Sequence, residues 1–182
     1  MNKILKHIMK ILRIIIFSLV FLLGLNKASF ACDFLGINIG GNKSEIEKYF
    51  GTFENDDEEE LRDITIVSTG IDRFCPNSNL GNSIIYAFIV NDKIAGISIE
   101  VLNGTNNEES KKKLLYNYVT SNYGKIENSS NPNWTGYKMW SIGGREIIYG
   151  KTYQRKKFLI EELQISNAEY MPYLIDNEPN DE

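Results

Sequence analysis

The chain is poorest in histidine. Its one histidine, His7, stands in a basic and apolar leader, so no imidazole is available from Cys32 onward. That excludes Ser-His-Asp and Cys-His nucleophilic sites in their usual forms, which need an imidazole to take the proton. It equally excludes the histidine-bearing zinc, copper and iron sites. Cysteine is nearly as scarce, with Cys32 and Cys75 alone, too few for a four-cysteine zinc centre. The glycine pairs Gly40-Gly41 and Gly143-Gly144 lack both the lysine of a phosphate loop and the dinucleotide spacing. No cofactor and no metal site is expected.

The leader is the first feature that is present. Lys3, Lys6, Lys10 and Arg13 precede the apolar stretch Ile14–Leu25, and Ser29-Phe30-Ala31 places small residues where a signal peptidase inspects them. A membrane span needs about twenty apolar residues, so residues 1–31 read as a signal peptide. The expected location is periplasmic or secreted. Removing the leader takes five of the twenty basic residues and none of the twenty-four acidic ones. The remaining fifteen bases leave a formal net charge of −9. Such a surface repels phosphate backbones, so nucleic acid is not an expected partner.

Both cysteines lie in the exported part, where a pair more often forms a disulfide than a redox site. A Cys32–Cys75 bridge would pin the mature N-terminus. The alternative is a lipidated Cys32, which would make this a lipid-anchored envelope protein; the two readings exclude each other. Contact with a membrane is expected only through that lipid or an uncleaved leader.

Residues 32–175 are long enough for one domain with one core. The firmest element is Ser83–Asn103. Ile84–Val90 is an apolar run rich in β-branched and aromatic residues, and Asn91-Asp92 suits a tight turn. Ala95, Ile97, Ile99 and Val101 then alternate with Gly96, Ser98 and Glu100, predicting one strand face packed beneath helices. Gly143-Gly144 marks a second hairpin between Tyr137–Ser141 and Arg145–Lys151, and Phe158–Ser166 reads as the last strand. A weak strand is expected over Phe34–Ile39 and another over Asp63–Ser68. Asn42 with Glu45 makes a capping-box pattern before a short helix over Ser44–Phe50. Asn106 with Glu109 repeats it before a helix running to Tyr123-Gly124. Glu54–Glu60 carries six acids in seven positions, an expected solvated loop with a calcium site as its alternative. The tail Asp176–Glu182 is acidic and expected to be disordered.

The pattern predicts an α+β fold: an antiparallel sheet with two helices on one face, as two α-then-β units in tandem. Phe34-Leu35-Gly36-Ile37, followed by Ser44-Glu45-Ile46 and Phe50-Gly51, resembles the short helix-plus-sheet unit of bacterial exported binding proteins. That unit is found singly in the small lipoprotein of the outer-membrane barrel-assembly machine and in tandem in secreted β-lactamase-inhibitor proteins. The resemblance implies a protein-binding role and carries no functional residue across.

Without histidine, carboxylate chemistry is what survives. Glu161 and Glu162 are adjacent on a strand and must point to opposite faces. Glu100 and Glu161 facing each other from different strands would offer a hydrolase pair acting on a glycan. Glu161 shares its face with Leu159, Leu163 and Ile165, and a salt bridge to Arg145 or Lys157 is expected to satisfy it. Trp134, in the polar loop Asn131–Thr135, reads either as tucked against the core or as a binding anchor, and Tyr170 and Tyr173 share that ambiguity. The sequence therefore leads to an exported, non-enzymatic domain that binds another envelope or secreted protein, with a carboxylate hydrolase as the rival.

Overall fold

The computed structural model describes residues 32–50, 59–61, 64–76, 78–127, 134–155 and 157–175. They belong to the unit Cys32–Glu182, so the leader, the tail and residues 54–58 of the acidic run lie outside what is described. The fold is α+β. Its strands are β1 (Glu59–Leu61), β2 (Ile64–Gly70), β3 (Ser83–Val90), β4 (Lys93–Val101), β5 (Gly136–Ile142), β6 (Arg145–Gln154) and β7 (Phe158–Ser166). The helices are α1 (Ser44–Phe50), α2 (Ile71–Phe74), α3 (Glu108–Lys111), α4 (Leu114–Asn122) and α5 (Met171–Ile175).

Local turn chemistry builds the sheet. Asn91 and Asp92 sit at φ 49° and 59°, the left-handed region these side chains tolerate, and the turn joins β3 to β4. Gly143 and Gly144, at φ 58° and 76°, do the same between β5 and β6. The strands run in the order β1-β2-β3-β4-β7-β6-β5, with every neighbouring pair antiparallel. β4 and β7 are therefore the middle of the sheet, and β5 is an edge.

A bulge changes which residues of β4 meet the core. The β3–β4 register shifts between Phe88 and Ile89, pairing Phe88 with Gly96 but Ile89 with Ile94. One extra residue in a strand reverses the facing of what lies beyond it. Ile94 thus joins Ile97, Ile99 and Val101 in the larger buried cluster, while Ala95 passes to a smaller one with Ile64, Phe88, Val90 and Leu174. The simple alternation predicted for Ala95 is corrected on this point. Gly96 and Ser98 are also more enclosed than predicted, because β4 is flanked by strands on both sides and covered by α5. A Cβ on Gly96 would lie 2.8 Å from Leu174, so glycine is what lets α5 rest on the strand.

The larger cluster unites Ile46 and Phe50 of α1 and Leu115 and Val119 of α4 with Val67, Ile85, Ile97, Ile147, Tyr149 and Leu163 of the sheet. We call that side of the sheet the inner face and the other the outer face. α1 starts as predicted: the Asn42 amide donates to Glu45 Oε1 (3.1 Å), and Asn42 Oδ1 accepts from the Ser44 amide (2.9 Å). Cys32 and Cys75 stand at disulfide distance, with their Cα atoms 5.9 Å apart. Among the described residues no helix is long and apolar enough to cross a membrane.

Four local expectations fail. Phe34–Gly36 is a 3₁₀ turn, not a strand, because Asp33 Oδ1 accepts from the Leu35 amide (3.1 Å) and closes it. The second helix breaks in two at Lys113, which adopts φ 56°. Its capping box does not form: Glu109 pairs with Lys112, and neighbouring Asn107 instead ties down the β6–β7 hairpin. Asn107 Nδ2 donates to the Lys157 carbonyl (3.0 Å) and its Oδ1 accepts from the Leu159 amide (2.9 Å). Finally, Glu59 and Glu60 are in a strand, not a loop, and α5 was not foreseen.

Candidate binding face

Side chains alternate along each strand, so the register places the outer-face residues in rows that cross the sheet. One row reads Ile84, Glu100, Glu162, Gly150, Tyr137, from β3 through β4, β7 and β6 to β5. The next reads Tyr86, Ser98, Gln164, Ile148, Met139. α5 covers the end of this face nearest Gly96 and Phe88, where Tyr86 packs against the same small cluster; along the two rows Ser98 and Gln164 are buried, Glu100 and Glu162 half-buried, and Tyr137 and Met139 exposed.

The rows have an acidic centre and an aromatic, apolar flank. Glu100 and Glu162 are direct partners across β4 and β7. Ser98 Oγ donates to Glu162 Oε1, and Gln164 Nε2 donates to the same oxygen at 2.9 Å. Glu100 is hydrogen-bonded by the Tyr86 hydroxyl. Burial, and then the neighbouring Glu162 charge, raises the Glu100 carboxyl above its ordinary range despite that bond. Burial and then the Glu100 charge push the Tyr86 hydroxyl up to about 12. At the flank, Tyr137 and Met139 remain 62% and 55% exposed. The Tyr137 ring lies over Gly150, where a Cβ would come within 2.7 Å of it. Glycine there lets the ring cover the strand.

The inner face holds a different polar pair. Glu161, 1% exposed, accepts from the Tyr149 hydroxyl at 2.8 Å, and its Oε2 has no partner among the described residues. Burial, then the Glu161 charge, pushes the Tyr149 hydroxyl strongly upward. The salt bridge expected for Glu161 is not made. Arg145 Nη2 donates to the Ile37 carbonyl (3.0 Å), and Lys157 lies 5.2 Å over the Phe158 ring.

The predicted site residues separate. Trp134 stacks on Tyr149 with ring centres 6.2 Å apart and planes at 7°, so it is tucked against the core. Tyr170 packs against both clusters and meets Tyr173 at 6.3 Å, and Tyr173 stays 42% exposed on α5. Glu100 meets Glu162, not Glu161, because strand alternation puts Glu161 on the inner side. Sequence reasoning missed Tyr86, Tyr137, Met139 and Gln164. The signal was available in β5, whose apolar residues fall on both faces, but only the strand order says which face stays open.

The paired carboxylates lie on a sheet surface. A crevice of about 40 Å³, lined by Ile37, Glu45, Tyr49, Phe50 and Phe74 among others, lies elsewhere in the fold. Among the described residues no group of three or more histidine, cysteine, aspartate or glutamate side chains is placed to hold a metal ion. No family model, curated protein or solved structure matches this chain.

Proposed function

We propose that the chain is an exported, non-enzymatic domain that binds another envelope or secreted protein through the outer face of its sheet. The observation that carries this reading is the exposure of Tyr137 and Met139 beside the glutamate pair. Large apolar side chains left open on a half-covered sheet are what a partner surface buries. The basic apolar leader and the paired cysteines support export to an oxidising compartment, periplasmic or extracellular, and favour the bridge over a lipidated Cys32. We read α1 and the α3–α4 pair as lying side by side on the inner face, heading two α-then-β units that meet at β4 and β7. That arrangement leaves the outer face for recognition, in keeping with the resemblance to exported binding proteins.

A photo-reactive residue at position 139, in the protein expressed in its host, tests the reading. It is expected to give a discrete higher-mass adduct, while the same residue at exposed Lys112 gives none. Mass spectra of that adduct also show whether the mature chain starts at Cys32. Equal adducts at both positions, or none at 139, would sink the proposal.

A further inference from the structure

We infer that the partner delivers an arginine side chain, set among apolar residues of an extended or surface segment, onto Glu100 and Glu162. The inference rests on the binding-face reading and specifies the chemistry of its partner. Three observations lead to it. First, two like charges stand directly opposite each other at the centre of the face, a pairing that costs stability when nothing offsets it. Second, no basic side chain occupies the two rows, and no ion pair to either glutamate is formed among the described residues. Lys157, just before β7, lies over the Phe158 ring at the far end of that strand. Third, Ser98 and Gln164 both donate to Glu162 Oε1, and Tyr86 donates to Glu100. The two carboxylates are thereby held as acceptors on the surface.

A planar guanidinium suits this arrangement better than an ammonium. Its five donors can bridge two adjacent carboxylates, and its face can lie on the Tyr86 ring. The apolar residues beside it would cover Ile148, Met139 and Tyr137. The acidic balance of the mature chain, −9, draws a basic segment in from a distance.

The test uses two synthetic seven-residue peptides that alternate valine and threonine around a central arginine or its uncharged isostere citrulline. Amide chemical shifts of the purified protein are followed during titration. The arginine peptide is expected to move the amides of Glu100, Ile148 and Glu162, and the citrulline peptide to bind about tenfold more weakly. Glu100→Gln and Glu162→Gln should each weaken the arginine peptide by a similar factor while leaving the spectrum otherwise folded. Equal affinity for both peptides, no shift with either, or the same shifts produced by calcium chloride alone would overturn the inference. A Met139 adduct that forms while the arginine peptide fails would leave the binding face standing and remove only the arginine.

Discussion

The two faces of the sheet meet at β7, where adjacent glutamates enter different surroundings. Glu161 turns inward among Tyr149, Leu159 and Leu163, with one donor for its two oxygens. Glu162 turns outward and receives hydrogen bonds from Ser98 and Gln164. A buried charge with an unpaired oxygen costs free energy, whereas a half-exposed one keeps part of its water. The inner face therefore uses polar groups sparingly and depends on packing. The outer face has a smaller buried cluster under α5 and, beside it, hydrogen-bonded polar groups that are only half-buried at Glu100 and Glu162.

Substitutions can break or sharpen that contrast. The largest effect belongs to the inner face. Leu163→Ala removes a fully buried side chain and should cost about 2–5 kcal/mol, against at most about 0.5 kcal/mol for Met139→Ala. Urea denaturation of both variants measures the difference, and similar losses would mean that the Met139 flank of the outer face is also core.

Tyr149→Phe comes next. It strips Glu161 of its donor and should cost about 1–3 kcal/mol, much of which Tyr149→Phe with Glu161→Leu should recover, since an apolar pair leaves no carboxylate to satisfy. A double-mutant cycle decides it, and a Tyr149→Phe protein as stable as the parent would show that the hydrogen bond contributes nothing.

The smallest effect is on the outer face and depends on pH. Glu100 has its carboxyl raised in the fold, by burial and by Glu162, so the folded state holds that proton more tightly than the unfolded chain. The stabilisation is complete below the ordinary value of 4.5 and is lost as pH rises through the folded value. Glu100→Gln should therefore gain stability relative to the parent as pH rises from about 4 to 7. Urea midpoints that keep a constant gap across that range would exclude the coupling.

Legibility followed the range of the interactions. The hairpins were readable because Asn91-Asp92 and Gly143-Gly144 set their own backbone angles within two residues. The β7 span was predicted to the residue, and so was the placement of Glu161 on the buried side. The bulge at Phe88/Ile89 was not readable. Nothing within β4 announces that Ala95 will cross to the other face, since the shift arises in pairing with β3. The failure of the second capping box was hidden for a similar reason. Asn107, just before α3, bonds backbone groups at Lys157 and Leu159, some fifty residues away, and periodicity cannot register such a contact. The candidate site was the least legible part, because it consists of residues from five strands.

By itself the sequence determined the class of fold, the two hairpin turns and the lack of any histidine beyond His7. These follow from composition, or from contacts within a few residues, where local sterics decide. Only the tertiary structure decided that Glu100 opposes Glu162, that Trp134 is tucked on Tyr149, and that Tyr137 and Met139 stand open beside the glutamates. Each depends on strand order and register, which are set by long-range burial of one sheet face and not by the residues of any single strand.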